Sequence, residues 1–177
     1  MISKKAKSIS SGRHIQKSYS TGAGGERRFY DSCKAAKIEI KKTNKQSDIS
    51  HIDFMVNDVS FDVKGMKDSH KKGQILLELK NVQGKNGWCN DKDSPEWVAF
   101  DFGVCFICIK NTDLYKLSQD LCDLEDLVSS AKDCLYKGYT RKGRKDLMTM
   151  VSLQDALNHC EHWFLPYNEY FEPMELL

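Results

Sequence analysis

The sequence predicts an α/β domain of the mixed α+β kind, with a central mixed β-sheet flanked by helices. Three observations carry that expectation: a run with helical spacing before residue 42, short strand-like apolar stretches between residues 51 and 110, and leucines at helical spacing after Asn111. The 177 residues fit one domain, residues 21–177, preceded by a tail. With 40% apolar and 29% charged residues the chain has enough apolar material for a core. Its longest uncharged apolar run, Phe102 to Ile109, is far short of a membrane span, and no signal-type stretch opens it.

Taken in order, residues 1–20 are rich in Ser and Lys and predict a basic, poorly ordered tail. Thr21 to Gly25 reads as a flexible entry to a helix from Glu26 to Lys42, whose Phe29, Cys33, Ala36 and Ile40 share one face while the other is basic. His51 to Val56 predicts a strand, Asn57-Asp58 its turn, and Val59 to Lys64 the returning strand of a hairpin. A loop from Gly65 to Gly73 leads to a third strand, Gln74 to Val82. After a Gly/Asn/Asp-rich loop, Gln83 to Pro95, the stretch Glu96 to Lys110 supplies one long or two short strands. Leu114, Leu117, Leu121 and Leu124, then Leu127, Ala131 and Leu135, predict one or two amphipathic helices. A last helix over Leu153 to Cys160 opens on Ser152 as its N-cap.

The net charge of +2 hides strong segregation. Residues 1–46 carry twelve basic and three acidic side chains, Lys64 to Lys85 nets +4, and Lys137 to Lys145 holds five positive charges and no negative one. Residues 86–135 and 146–177 each net −6. Such placement suits a surface that meets a polyanion, although solvated faces without a partner have the same composition. The seven cysteines, an odd number, read as reduced thiols, so the chain is expected to be cytoplasmic and without a membrane partner. Cys105 and Cys108 form a CxxC inside a strand-like run, where an offset of three sends the side chains to opposite faces. They read as core residues, not zinc ligands.

The hairpin places acids among large apolar residues. Asp62 and Lys64 share a strand face by period two, and a tight turn at Asn57-Asp58 brings Asp53 close to Asp62. Two adjacent carboxylates repel and shift each other's pKa unless a cation lies between them. Hard oxygen ligands of this type suit Mg²⁺, or Mn²⁺ in its place, which binds through one or two carboxylates, waters and a substrate phosphate. A lysine on the same face can position the attacking water and stabilise charge on phosphorus. The residue types are those of phosphodiester hydrolysis.

Asp53, followed by Asp62-Val63-Lys64, resembles the PD-(D/E)XK nucleases, which include restriction endonucleases, Holliday-junction resolvases and repair nucleases. The resemblance covers residues 22–110 and implies a restriction-endonuclease-like fold, with Asp53, Asp62 and Glu26 as metal ligands and Lys64 as the catalytic lysine. Glu26 matches the glutamate that many members carry on the first helix, while Ile52 stands where the family has proline. A second registration exists: Glu78-Leu79-Lys80 is also an E-x-K, with Asp62 as its first acid. Under the first registration Glu78 and Lys80 flank the site from the neighbouring strand, and Gln83 lies at its mouth.

On this reading the chain is a metal-dependent endonuclease acting on duplex or branched DNA, with DNA favoured over RNA by the resemblance alone. A homodimer is expected by analogy where two strands are cut. Candidate DNA contacts are Lys67, Lys71, Lys72 and Lys85, and in the third basic run Lys137, Arg141, Lys142, Arg144 and Lys145. Trp88 admits two readings, a ring that stacks on a base or wedges a junction, and a ring that closes the sheet. His51 and His70 read as structural imidazoles. The rival class is a non-catalytic nucleic-acid-binding or inhibitor protein of a mobile element that keeps a nuclease-like scaffold.

Overall fold

The computed structural model describes residues 22–43, 51–90, 92 and 94–167. The expected tail, residues 1–20, lies outside them. The architecture is mixed α+β, with two mixed sheets and flanking helices in place of the single sheet expected. Helix α1 (Gly22–Ala35) precedes strands β1 (Ile40–Lys42), β2 (Phe54–Val56) and β3 (Val59–Lys64). A four-residue helix, α2 (Asp68–Lys71), leads into β4 (Gln74–Lys80), and β5 (Trp97–Asp101), β6 (Cys105–Lys110) and helix α3 (Asn111–Leu121) follow. The chain continues through β7 (Asp123–Val128), a 3₁₀ turn at Ala131–Asp133, β8 (Lys137–Tyr139), β9 (Leu147–Ser152), helix α4 (Leu153–His159) and β10 (His162–Pro166).

The six-stranded sheet runs β1-β2-β3-β5-β6-β10, antiparallel except for the central β3–β5 pair. Strands β3, β5 and β6 are buried on both faces along most of their length, as a sheet covered on two sides requires. On one face Phe61, Val63, Ala99, Phe106 and Cys108 pack against Phe29 and Cys33 of α1. On the other, Val98, Phe100, Ile107 and Ile109 join Ile75, Leu77 and Val151 of the second sheet and Leu114 and Leu117 of α3. That second sheet, β4-β9-β8-β7, is the layer that the sequence did not announce.

Four expectations are corrected. Glycines 22 and 25 belong to α1, which ends at Ala35; Lys37 adopts φ 58°, and Ile38 N–H donates to Cys33 O at 2.9 Å. This left-handed terminus frees Ile40 to Lys42 for an edge strand. β4 does not neighbour the hairpin. Its residues alternate between buried and half-exposed, whereas β5 is buried on both faces and takes the central place beside β3. Residues 123–128 form a strand paired with β8 and not a helix; the ladder is irregular between Asp123 and Leu127, where the Asp123 carboxylate accepts the N–H groups of Glu125 and Asp126, and Leu127 is left 58% exposed. The loop from Gly65 to Gly73 contains α2.

Other readings agree with the structure. The Asn57-Asp58 turn has φ 46° and 64°, as a two-residue hairpin of the primed type needs. Ser152 Oγ accepts the Asp155 N–H at 3.0 Å and caps α4. Cys105 and Cys108 serve opposite faces of β6, and all seven cysteines are free. Among the described residues no helix is long and apolar enough to cross a membrane.

Candidate functional site

Phe54 pairs with Phe61 in the last step of the β2–β3 register, one residue after Asp53 on one strand and one before Asp62 on the other. The ladder ends there, and the Asp53 side chain extends it: Oδ2 accepts the Val63 N–H at 2.8 Å, while Asp53 N–H donates to Phe61 O at 2.8 Å. Thr43 holds the other side, its N–H and hydroxyl donating to Asp53 O at 3.1 and 2.9 Å. Burial raises the Asp53 carboxyl to about 7, and the charges of Asp62 and Glu26 push the same way against the Val63 hydrogen bond and Lys64.

Asp62 is 4% exposed and lies on the face of β3 opposite Phe61 and Val63. Its Oδ2 is ion-paired with the Lys64 ammonium at 2.5 Å. The ammonium also stands 4.8 Å from the centroid of the Trp88 ring. Glu26 approaches from α1, where a Cβ on Gly25 would lie 2.9 Å from the Cα of Gly65. The glycine thus lets the helix meet the end of β3. Glu26 forms an ion pair with Lys42 at 3.1 Å and lines a groove of about 490 Å³ between α1 and β1, with Tyr30, Ile40 and Phe54.

Asp53, Asp62 and Lys64 are therefore brought together, with Glu26 within electrostatic reach. Lys67 and Glu78 belong to the same neighbourhood. Although Lys67 is solvent-exposed as a residue, its ammonium is partly desolvated, and this, with the Lys64 charge, lowers its proton affinity against the opposing charges of Glu78 and Asp62. Among the described residues no three carboxylate, imidazole or thiolate groups stand ready-made around one metal position. The donor set is the Asp62 carboxylate, ion-paired to Lys64 through Oδ2, and the Asp53 carboxyl, held by the Val63 N–H and close enough to feel the Asp62 charge. Mg²⁺, which completes its shell with water and phosphate, fits that set.

Several candidates are placed elsewhere. Trp88 is 5% exposed, packed edge-on to Phe100 beneath Lys64, so its ring is not offered to a base. Gly87 explains why: its Cβ position lies 2.1 Å from Glu78 O, and Cys89 N–H donates to the same oxygen, which folds the chain back against β4. Lys137 is paired with Asp126 at 2.5 Å and Arg141 with the buried Asp146. Lys71 pairs with Asp68 at 3.3 Å at the surface, and Lys72 is exposed. Lys80, Gln83, Lys85, Lys142, Arg144 and Lys145 are exposed.

Sequence reasoning missed one buried polar cluster. Asp101, 0% exposed at the end of β5, accepts from the Arg28 guanidinium and the Tyr167 hydroxyl, and from the Gly103 N–H at 2.9 Å. His70 Nδ1 lies 2.7 Å from Asp101 O, so that nitrogen carries the proton, and burial lowers the imidazole pKa. The cluster ties α1, two residues beyond Glu26, to β5 and to the end of β10. An acid inside the run Val98-Ala99-Phe100-Asp101-Phe102 was the available signal. No protein-family model matches this chain, and no curated protein or solved structure is significantly similar to it.

Proposed function

We propose that the chain is a Mg²⁺-dependent endonuclease that hydrolyses phosphodiester bonds in DNA. The observation that supports this best is that Asp53, bonded to the Val63 N–H at the end of the hairpin, feels the charge of Asp62, which is ion-paired with Lys64. Asp53 is held near a pKa of about 7 by burial and like charge, a state that a divalent cation relieves. The resemblance of Asp53, Asp62-Val63-Lys64 and Glu26 to the PD-(D/E)XK nucleases points the same way, and with it a restriction-endonuclease-like fold.

On this reading Asp53 and Asp62 hold the cation, and Glu26 supports it from α1. The bound ion would activate a water and neutralise charge on the phosphate. Lys64 orients that water and stabilises the charge that develops on phosphorus. The water oxygen bonds to phosphorus and the bond to the departing sugar oxygen breaks. One proton from the water ends on the departing oxygen and the other stays with the new phosphomonoester or passes to solvent. Cleavage of linear and branched DNA with Mg²⁺ or Mn²⁺, against Asp62→Ala, tests the reading.

A second registration is supported by Glu78, whose charge reaches Lys67 together with that of Asp62. There Asp62 remains a ligand, Glu78 joins it and Lys80 replaces Lys64. The non-catalytic reading draws on the Asp62–Lys64 pair, which neutralises itself without a metal. Absence of metal-dependent cutting on every substrate selects it.

A further inference from the structure

We propose that two loops, residues 80–87 and 140–146, form one phosphate-gripping platform that holds a duplex arm of DNA beside the acidic centre, through the backbone and not the bases. The inference rests on reading that centre as a nuclease site. Each loop is braced from within. Asn81 Oδ1 accepts the N–H groups of Gln83 and Lys85 at 3.0 and 3.2 Å, and Gly84 N–H donates to Asn81 O at 2.8 Å. In the second loop the buried Asp146 accepts the Arg141 N–H at 3.0 Å and its guanidinium, while Arg144 N–H donates to Arg141 O at 2.9 Å. Lys145 N–H donates to Val82 O at 3.4 Å, which joins the two loops. A Cβ on Gly84 would stand 3.2 Å from Lys145 Cβ, so the approach is close.

The joined loops gather Lys80, Lys85, Lys142, Arg144 and Lys145. All five are exposed, and none forms an ion pair among the described residues, whereas Lys42, Lys64, Lys110, Lys137 and Arg141 each have one. Like charges fixed together by braced loops gain nothing for folding and attract a polyanion. Neither segment, Lys80 to Gly87 or Thr140 to Asp146, contains an aromatic residue; of the two rings that adjoin them, Trp88 is buried and Tyr139 is half-buried at the end of β8. Single-strand sites pair cations with rings on which bases stack. A surface whose exposed groups are chiefly cations suits a duplex, whose bases are already stacked and which presents phosphate. Lys85 lies three residues from Trp88, a reach of at most about 11 Å, and the Trp88 ring underlies Lys64. The platform therefore adjoins the centre.

The test is fluorescence anisotropy of the full chain in EDTA with a short random-sequence duplex and with one of its strands, over a range of salt. The duplex is expected to bind more tightly than the strand. The triple variant Lys142→Ala, Arg144→Ala, Lys145→Ala is expected to lose about tenfold or more in duplex affinity and to flatten the log–log salt slope by about 2–3. Lys80→Ala with Lys85→Ala, on the other loop, should weaken binding in the same way, and Lys142→Arg with Lys145→Arg should retain it. Unchanged affinity and slope in both alanine variants, or a strand bound as tightly as the duplex, overturns the proposal. Since cleavage is not read, a protein that binds duplex through these loops but cuts nothing in Mg²⁺ removes the nuclease reading alone. Metal-dependent cutting with unaltered binding in the alanine variants removes the platform alone.

Discussion

Asp53 reaches past the end of β2 to accept the backbone N–H of Val63 at 2.8 Å, which fixes its carboxylate beside Asp62 on the facing strand. An acid held this way is costly to ionise, and four consequences of that arrangement and its supports can be measured.

The Asp53 carboxyl, raised to about 7, keeps a proton in the folded chain that the unfolded chain releases near pH ~3.9. Its contribution to stability is greatest below pH ~4 and declines as pH rises to about 7. Asp53→Asn should therefore be more stable than the wild type at pH 8 by about 1–2 kcal/mol, after allowance for partial exposure, and no more stable at pH 4. Thermal unfolding at the two pH values checks this. Millimolar Mg²⁺ should raise the wild-type Tm at pH 8 and leave that of the variant unchanged.

Lys64→Ala strips the cation from an almost fully buried carboxylate, so it should cost about 3 kcal/mol of stability and abolish cleavage. Lys80→Ala, at an exposed position, should leave stability within about 0.5 kcal/mol and, at saturating DNA, where its phosphate contact no longer limits binding, retain cleavage. Loss of cutting in the Lys80 variant alone would make Glu78-x-Lys80 the catalytic registration.

Asp101→Ala leaves the Arg28 guanidinium without its buried carboxylate and should destabilise the chain by about 3–5 kcal/mol in urea unfolding. Tyr167→Phe removes one donor to the same carboxylate and should cost about 1–2 kcal/mol.

Gly87→Ala would place a methyl group 2.1 Å from Glu78 O, closer than any backbone tolerates. A loss of about 3 kcal/mol is expected, with an altered near-UV signal from Trp88 as the loop is displaced.

The hairpin was legible because Asn57-Asp58 is a turn signal between apolar runs, and α4 because Ser152 is a strong cap. The end of α1 was not, since a lysine occupies the left-handed position that glycine usually marks. β7 was missed because its leucines keep helical spacing, while its pairing with β8 comes from a segment distant enough in the pattern that spacing alone does not show it. That the turn brings Asp53 to the end of the strand that carries Asp62 followed from period and spacing. The fate of Trp88 did not, because the sequence alone does not reveal that Gly87 admits Glu78 O so closely. Nor does it distinguish Lys137 and Arg141, taken up by Asp126 and Asp146, from Lys142, Arg144 and Lys145, which form no ion pair among the described residues.

The central claim is that Asp53, Asp62 and Lys64 cut phosphodiester bonds with a divalent metal. Incubation of the full chain with linear and branched DNA in Mg²⁺ or Mn²⁺ tests it most directly, with EDTA and Asp62→Ala as controls. The account predicts nicks or breaks that need the metal and vanish in the variant; intact DNA in every metal-containing reaction, or equal cutting by Asp62→Ala, would contradict it.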